Sequence, residues 1–228
     1  MVKQHTDKQY DEELRQLKEK ILEAGGIVEE MITRSMRSLT ERDSKTAEEV
    51  IRKDFEVNAL ELEIDDLCVR LLALRQPAAS DLRFITIGLR ASKDLERMGD
   101  LAVNIAEQAI ALNREPQLKP YSDLPKMAMK AQGMVQQALD AFVKQDVDLA
   151  QAVCEMDDDV DSLEHSIFQE LINMMGKDSK AVERGTRLIL VSQQIERIAD
   201  HATNIAEEVI FMVQGRDIRH GGRKVLSS

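Results

Sequence analysis

Aromatic residues are scarce in this 228-residue chain, at 3% of the total, and tryptophan is absent. Glycine and proline are also few, with 10 and 4 residues respectively. Sandwiches and barrels need many tight turns, so this composition argues against an all-β fold. Hydrophobic residues make up 43% of the chain and include 11 Met, and aliphatic side chains of this kind fill the interior of helical bundles. The sequence therefore predicts an all-α protein.

A net positive charge is also lacking. The chain has 31 basic and 42 acidic residues, a formal charge of −11, which argues against sequence-independent binding to nucleic acid or anionic lipid. No apolar run approaches the roughly twenty residues of a membrane span, and the opening MVKQHTDKQYDEEL has no signal-peptide pattern. Cys68 and Cys154 show no CxxC spacing, which is typical of reduced thiols. We therefore expect a soluble, cytoplasmic protein.

One twelve-residue motif is present twice. Residues 96–107 read ERMGDLAVNIAE, and residues 196–207 read ERIADHATNIAE, with identical residues at eight of the twelve positions. Agreement of this extent in a short chain indicates an internal duplication. Neither copy contains proline, and apolar residues recur at steps of three and four, so both copies are predicted to be helical.

The duplication extends well beyond the motif. Five residues of the first half have counterparts of the same type 103 positions later: Asp54, Val57, Leu60, Glu61 and Ile64 match Asp157, Val160, Leu163, Glu164 and Ile167. Three of the four prolines lie between the halves, in REPQLKPYSDLP. We predict a three-helix repeat over 9–113, a linker over 114–123, a second three-helix repeat over 124–215 and a basic tail over 216–228. Short turns make neighbouring helices antiparallel, so the predicted architecture is two tandem antiparallel three-helix bundles.

Several residues are expected to begin, end or bend these helices. The expected caps are Asp43 or Ser44 for the second helix, Ser80 or Asp81 for the third, and Gly215 for the end of the last. The Gly25–Gly26 pair interrupts the first helical pattern and predicts a bend or a close helix crossing.

Each motif carries a row of oxygen-bearing side chains. The rows are Glu96, Asp100 and Asn104, and Glu196, Asp200 and Asn204. The apolar positions centre on the opposite side, so we expect these rows on the outer face of a packed helix. Like charges four residues apart repel by a few tenths of a kcal/mol, and neither motif contains a lysine. A bound Mg²⁺, Mn²⁺, Ca²⁺ or ferric ion would offset this repulsion, although a solvated acidic face remains the alternative.

The second helix of each half offers another acidic row. These rows are Asp54, Asn58, Glu61 and Asp65, and Asp157, Asp161 and Glu164. In a bundle they can approach the motif rows across the shared helix edge, which predicts one oxygen-rich site per half. Ordinary charged helix flanks are the competing interpretation.

The duplicated ERxxDxxxNIAE motif, the upstream DxxVxxLExxI segment in both halves and the ending FMVQGRDIRH resemble the PhoU family of phosphate-uptake regulators. The resemblance covers residues from about Asp11 to about His220. It implies a cytoplasmic homodimer that acts between the ATPase subunit of a phosphate ABC transporter and the sensor histidine kinase of the phosphate regulon. Such a protein holds the phosphate-starvation genes off and restrains uptake when phosphate is plentiful. It would reach the membrane only through these partners and would not be an enzyme.

The resemblance also implies bound divalent or trivalent metal ions: magnesium, manganese, iron or zinc. The ligands that it implies are Glu96, Asp100, Asn104 and Asp54 in the first half, and Glu196, Asp200, Asn204, Asp157 and Asp161 in the second. Asn58 stands where the second half has Asp161, so the two sites are not expected to bind metal equally well. Arg97 and Arg197 are expected to pair with neighbouring carboxylates, and His201 is expected to be structural.

Two other functions are consistent with parts of the pattern. A ferritin-like metal-storage bundle or metalloenzyme would use Glu-x-x-His pairs in the bundle core, and the chain contains no ExxH. An inert scaffold would use its acidic faces only for solubility. The chain also lacks P-loop, GxSxG and HExxH motifs, which favours a regulatory adaptor over an enzyme.

Overall fold

The computed structural model describes residues 8–215, and the predicted basic tail lies outside this range. Within it the chain forms six long helices and a short 3-10 helix, Ser179–Ala181. The long helices are α1 (Lys8–Thr40), α2 (Ser44–Arg75), α3 (Ala79–Leu112), α4 (Asp123–Lys144), α5 (Val147–Lys177) and α6 (Val182–Gln214). The all-α prediction is confirmed.

The two halves repeat the same local device at the turn into their second helix. Asp43 accepts hydrogen bonds from the backbone of Lys45 and Thr46 at 3.0 and 3.3 Å, and Asp146 accepts one from Leu149 at 3.0 Å. A carboxylate at this position satisfies backbone N–H groups that have no partner within the helix. The duplicated acid is therefore a helix cap in both halves.

The predicted cap of α3 is wrong. Ala78 occupies the N-cap position and supplies no side-chain hydrogen bond, whereas Asp81 instead accepts one from the Tyr10 hydroxyl at 3.1 Å. The carboxylate thus ties α3 to α1. Gly215 ends α6 as predicted, with a φ of 66° that an L-residue adopts only at a cost.

The motif helices lie at the centre of the arrangement. Helices α3 and α6 pack against each other, α1 packs against α4, and each half packs its own three helices together. Among the six long helices, α2 contacts only α1 and α3, and α5 contacts only α4 and α6. One continuous apolar core runs through both halves. No helix within residues 8–215 is long and apolar enough to cross a bilayer.

The Gly25–Gly26 pair marks a close helix crossing. Helix α1 continues through both glycines, and a Cβ atom on Gly25 would collide with the Leu139 side chain of α4. Gly26 is exposed and has no atom within 4 Å of the same position. Only one of the two glycines is therefore required by packing.

Exchanging each glycine for alanine separates these roles. Gly26→Ala should raise the free energy of unfolding by about 0.5–1 kcal/mol, because alanine costs less backbone entropy in a helix. Gly25→Ala should lower it by about 1 kcal/mol or more, since Leu139 must move out of its packed position. Urea unfolding of the two variants measures both changes. An equal gain in the free energy of unfolding in both variants would contradict the close crossing of α1 and α4 at Gly25.

Candidate functional site

The core packing of α3 and α6 determines where the two motifs present their polar side chains. In α3 the motif buries Met98, Ala102 and Ile105, and in α6 it buries Ile198, Ala202 and Ile205. Glu96 and Asp100 of the first motif therefore lie next to α2, and Glu196 and Asp200 of the second motif lie next to α5. We refer to α2 and α5 as the outer helices. We call the α2/α3 edge the first seam and the α5/α6 edge the second seam.

In the first seam, Asp54 of α2 faces the motif of α3. Its Oδ2 atom accepts a hydrogen bond from Asn58 at 2.7 Å, and its Oδ1 atom is buried and accepts none. Gly99 permits this approach, since a Cβ there would lie 3.1 Å from Oδ1. Burial and the nearby Asp100 carboxylate raise the pKa of Asp54, although the Asn58 hydrogen bond opposes the shift and Glu96 adds to it.

Basic side chains partly neutralise the first seam. Lys93 Nζ lies 3.2 Å from Glu96 Oε2 and 3.3 Å from Glu61 Oε1, and Arg97 Nη1 lies 3.2 Å from Asp100 Oδ2. The Arg97 pair confirms the expectation for that residue. Lys93 was missed because it precedes the motif, although its position three residues before Glu96 is a helical pairing distance.

In the second seam, burial and neighbouring carboxylates act on Glu196. Burial raises the pKa of Glu196 from 4.5 to about 7, and four carboxylates of α5 and α6 reinforce the shift; in order of effect they are Asp200, Asp161, Glu164 and Asp157. Asp157 is only 5% exposed. The position of Lys93 is taken by Gln193, so this seam lacks that lysine.

The predicted rows are not outward-facing along their whole length. The Glu96 side chain is 16% exposed and lies in the first seam, whereas Asn104 is exposed and donates a hydrogen bond to Gln194 of α6 at 3.2 Å. Asn204 lines a cleft of about 310 Å³ between α3 and α6. Each row therefore begins in a seam with the outer helix and ends at the contact between the motif helices.

The seams fit an oxygen-preferring cation by charge and donor type. The buried Asp54 Oδ1 atom lacks a hydrogen bond, and burial, reinforced by neighbouring carboxylates, raises the pKa values of Asp54 and Glu196; a cation would offset both effects. Yet nowhere in residues 8–215 do three acidic, histidine or cysteine side chains converge as a ready ligand set. Coordination would thus require side-chain rotation.

The contact between α3 and α6 contains polar side-chain contacts that were not predicted. His201 Nδ1 lies 2.8 Å from Asp94 Oδ1, and Arg90 Nη1 contacts both carboxylate oxygens of Glu208 at 2.7 and 2.9 Å. His201 is thus structural, as expected. The sequence did contain a signal for the His201 contact, because the first motif has Leu101 at the position where the second motif has His201.

Comparison with known proteins gives a consistent picture. The PhoU domain model matches residues 21–109 and 124–209. The chain is 41% identical to a Pseudomonas aeruginosa protein named phosphate-specific transport system accessory protein PhoU homolog, over 96% of this chain and 90% of that one. An Aquifex aeolicus homologue of the same name is 40% identical over 91% of this chain and 94% of its own length.

Two crystal structures share the fold. That of PhoU from Pseudomonas aeruginosa has a TM-score of 0.88 at 40% identity and covers 91% of this chain and all of the other. The phosphate transport system regulatory protein PhoU from Streptococcus pneumoniae has a TM-score of 0.86 at 32% identity, covering 91% of this chain and 98% of its own.

The Glu196 carboxyl should make stability depend on pH in chelator-treated protein. Its folded pKa of about 7 exceeds the ordinary 4.5, so the folded state holds a proton that the unfolded chain has lost. The free energy of unfolding therefore falls as pH rises through this window. Glu196→Gln should be about 1–2 kcal/mol more stable than wild type at pH 8, after discounting for solvent screening, and should show no gain at pH 4.

Urea unfolding at both pH values tests this expectation. Glu96→Gln is the matched control, because it removes the ion pairs with Lys93 and Arg97 and should give no gain at pH 8. If the free energies of unfolding of Glu196→Gln and wild type differ by the same amount at both pH values, the raised pKa of Glu196 is contradicted.

Proposed function

The chain belongs to the PhoU family, and from that premise we propose that it regulates phosphate uptake as an accessory protein of a phosphate-specific transport system. The observation that carries this proposal is the similarity to accessory proteins of that name across 96% of the chain. Both halves take part in the similarity, and both keep the motif with its carboxylates.

The regulation that we propose is negative. With phosphate plentiful, the protein contacts the ATPase subunit of the transporter and the sensor histidine kinase, restrains uptake and keeps the starvation genes silent. It does so as a homodimer and without catalysis of its own. Helices about 45 Å long with charged outer faces support this role, because they offer extended surfaces for contact with other proteins.

We further propose that each seam binds a metal ion: magnesium, manganese, iron or zinc. Asp54, Glu96 and Asp100 would hold it in the first seam, and the second-seam ligands would be Asp157, Asp161, Glu196 and Asp200. When bound, the ion supplies positive charge between an outer helix and a motif helix. Asn104 and Asn204 would join only after turning away from the contact between α3 and α6, so they are the weakest members of the predicted sets.

No observation favours the ferritin-like alternative. That type of bundle keeps its ligands between the helices of the core, whereas here the core is built from apolar side chains and the candidate ligands lie at the seams.

Metal binding should depend on the seam carboxylates. Glu196→Gln/Asp200→Asn should weaken Mn²⁺ binding at the second seam by at least about tenfold, because even substitutions outside the first coordination shell cost that much. Glu96→Gln/Asp100→Asn should do the same for the first seam. Isothermal titration with Mn²⁺ and elemental analysis of protein purified without chelator measure both effects.

The matched control changes the same residue types at exposed positions of α5. Glu155→Gln/Asp158→Asn removes two negative charges outside the seams and should leave Mn²⁺ binding within about twofold of wild type. If all three variants bind Mn²⁺ like wild type, the seams are merely solvated acidic faces.

The regulatory role is tested in a cell that lacks the gene for this protein. A phosphate-starvation reporter should be active in high phosphate there and should be silenced when the wild-type protein is restored. The two seam variants should restore silencing less well than Glu155→Gln/Asp158→Asn at equal protein levels. A cell without the protein that still silences the reporter would remove the proposal's support.

A further inference from the structure

In the first seam, the ammonium group of Lys93 lies between two carboxylates that belong to different helices. Its Nζ atom is 3.3 Å from Glu61 Oε1 of α2 and 3.2 Å from Glu96 Oε2 of α3. Lys93 therefore connects the outer helix to the motif helix through two opposite charges. We call the arrangement of Lys93, Glu61 and Glu96 the lysine bridge.

The lysine bridge and a metal ion in the first seam require the same oxygen atom. Glu96 is one of the ligands proposed for this seam, and carboxylate oxygens hold magnesium and calcium ions at about 2.0–2.6 Å. A metal ion at Glu96 Oε2 would lie next to an ammonium that is 3.2 Å from the same atom. Two cations at such a distance repel each other strongly. Metal binding at Glu96 therefore requires Lys93 to move away.

The contacts of Lys93 are of a kind that a metal ion can replace. Its hydrogen bond to Glu61 is 3.3 Å long, whereas charge-assisted N–H···O bonds are commonly about 2.7–2.9 Å. Glu96 Oε2 is buried and accepts no hydrogen bond, so the ammonium meets it only at ion-pair distance. The Lys93 side chain is 51% exposed, whereas those of Glu61 and Glu96 are 14% and 16% exposed. The cation can thus leave while the carboxylates stay in the seam.

The space beside the first seam can accept the displaced ammonium. Lys93 also lines the cleft of about 310 Å³ between α3 and α6, together with Arg90, Asp94, Asn204 and Glu208. Two of these neighbours are carboxylates. The ammonium therefore keeps polar and acidic neighbours when the lysine bridge opens, and no charge has to be buried.

The second half repeats the carboxylates of the lysine bridge without the lysine. The two carboxylates recur as Glu164 and Glu196, whereas Lys93 is replaced by Gln193. Lys93 and Gln193 are both exposed, so core packing requires neither of them. The motif arginine is present in both halves. It is therefore the lysine that distinguishes the basic residues of the two seams.

We propose that Lys93 is an internal competitor for metal binding at the first seam. Its ammonium must leave Glu96 before a metal ion binds there, whereas the neutral Gln193 does not compete at the second seam. The second seam is therefore occupied at a lower metal concentration than the first. This inference rests on the proposed function, in which both seams bind a metal ion.

The effect of Lys93 must be separated from a second difference between the seams. Asn58 stands where the second half has Asp161, and a site with one carboxylate fewer also binds a cation more weakly. Exchanging the residues at positions 93 and 193 leaves Asn58 and Asp161 in place. A change in affinity on this exchange therefore reports the lysine alone.

Each seam is measured by itself, by isothermal titration of the full chain with Mn²⁺. Glu196→Gln/Asp200→Asn leaves only the first seam intact. In this background, Lys93→Gln should raise the Mn²⁺ affinity by at least about fivefold, because a positive charge next to the site is removed. Lys93→Arg keeps that charge and should give no gain in affinity.

The reciprocal exchange uses Glu96→Gln/Asp100→Asn, which leaves only the second seam intact. Here Gln193→Lys should weaken Mn²⁺ binding by at least about fivefold, since it introduces the competing ammonium. The matched control is Lys126→Gln, which removes an exposed lysine that pairs with a carboxylate three residues away on α4. It should change the Mn²⁺ affinity of either seam by less than about twofold. Circular dichroism checks that every variant keeps its helices.

The possible results separate this inference from the proposed metal sites. Equal first-seam affinity with lysine and with glutamine at position 93 would overturn the inference, and so would second-seam binding that Gln193→Lys leaves unchanged. Binding of Mn²⁺ persists in both cases, so the metal sites themselves would stand. An equal gain in Lys126→Gln would also overturn the inference, because net charge would then explain the effect. If no protein of the series binds Mn²⁺, wild type included, the metal sites fail and the inference fails with them.

Discussion

Because α3 and α6 pack against each other at the centre of the molecule, both motif helices turn their apolar sides into one shared core. Burial of this apolar surface is the dominant favourable contribution to folding. It also determines the position of every polar group in the motifs. Carboxylates on the side next to α2 or α5 become half-buried at a seam, where burial raises the pKa of Asp54 and Glu196. The electrostatics of the site therefore follow from the packing of the central helices.

Helix bounds and the oxygen-rich seams could be predicted from the sequence, since apolar spacing, capping residues and the internal repeat are all local signals. The predicted caps Asp43 and Gly215 lie at the observed start of α2 and the observed end of α6. The cap of α3 was missed because Asp81 contacts Tyr10, which is distant in sequence. Local pattern cannot distinguish a carboxylate that caps its own helix from one that bonds to another.

The direction of the asparagines could not be predicted for a geometrical reason. Each step of four residues advances about 40° around a helix, so Asn104 is rotated about 80° from Glu96. On an isolated helix these residues share one stripe. In the bundle, that rotation separates the first seam from the contact with α6, where Asn104 meets Gln194. Whether a stripe serves one site or two depends on where the neighbouring helices lie.

The two halves keep one backbone plan and differ in how they use their surfaces. Arg42 and Gln145 both adopt a positive φ, of 57° and 54°, before the capping aspartates, so the turn has been preserved. The first half places Lys93 at its seam and apolar residues on the outer face of α2. The second half has Gln193 instead, and the α5 positions that correspond to Phe55 and Leu62 are Asp158 and His165. Neither difference is needed to form three helices. The larger pKa shift, at Glu196, makes the second half the better candidate for a cation.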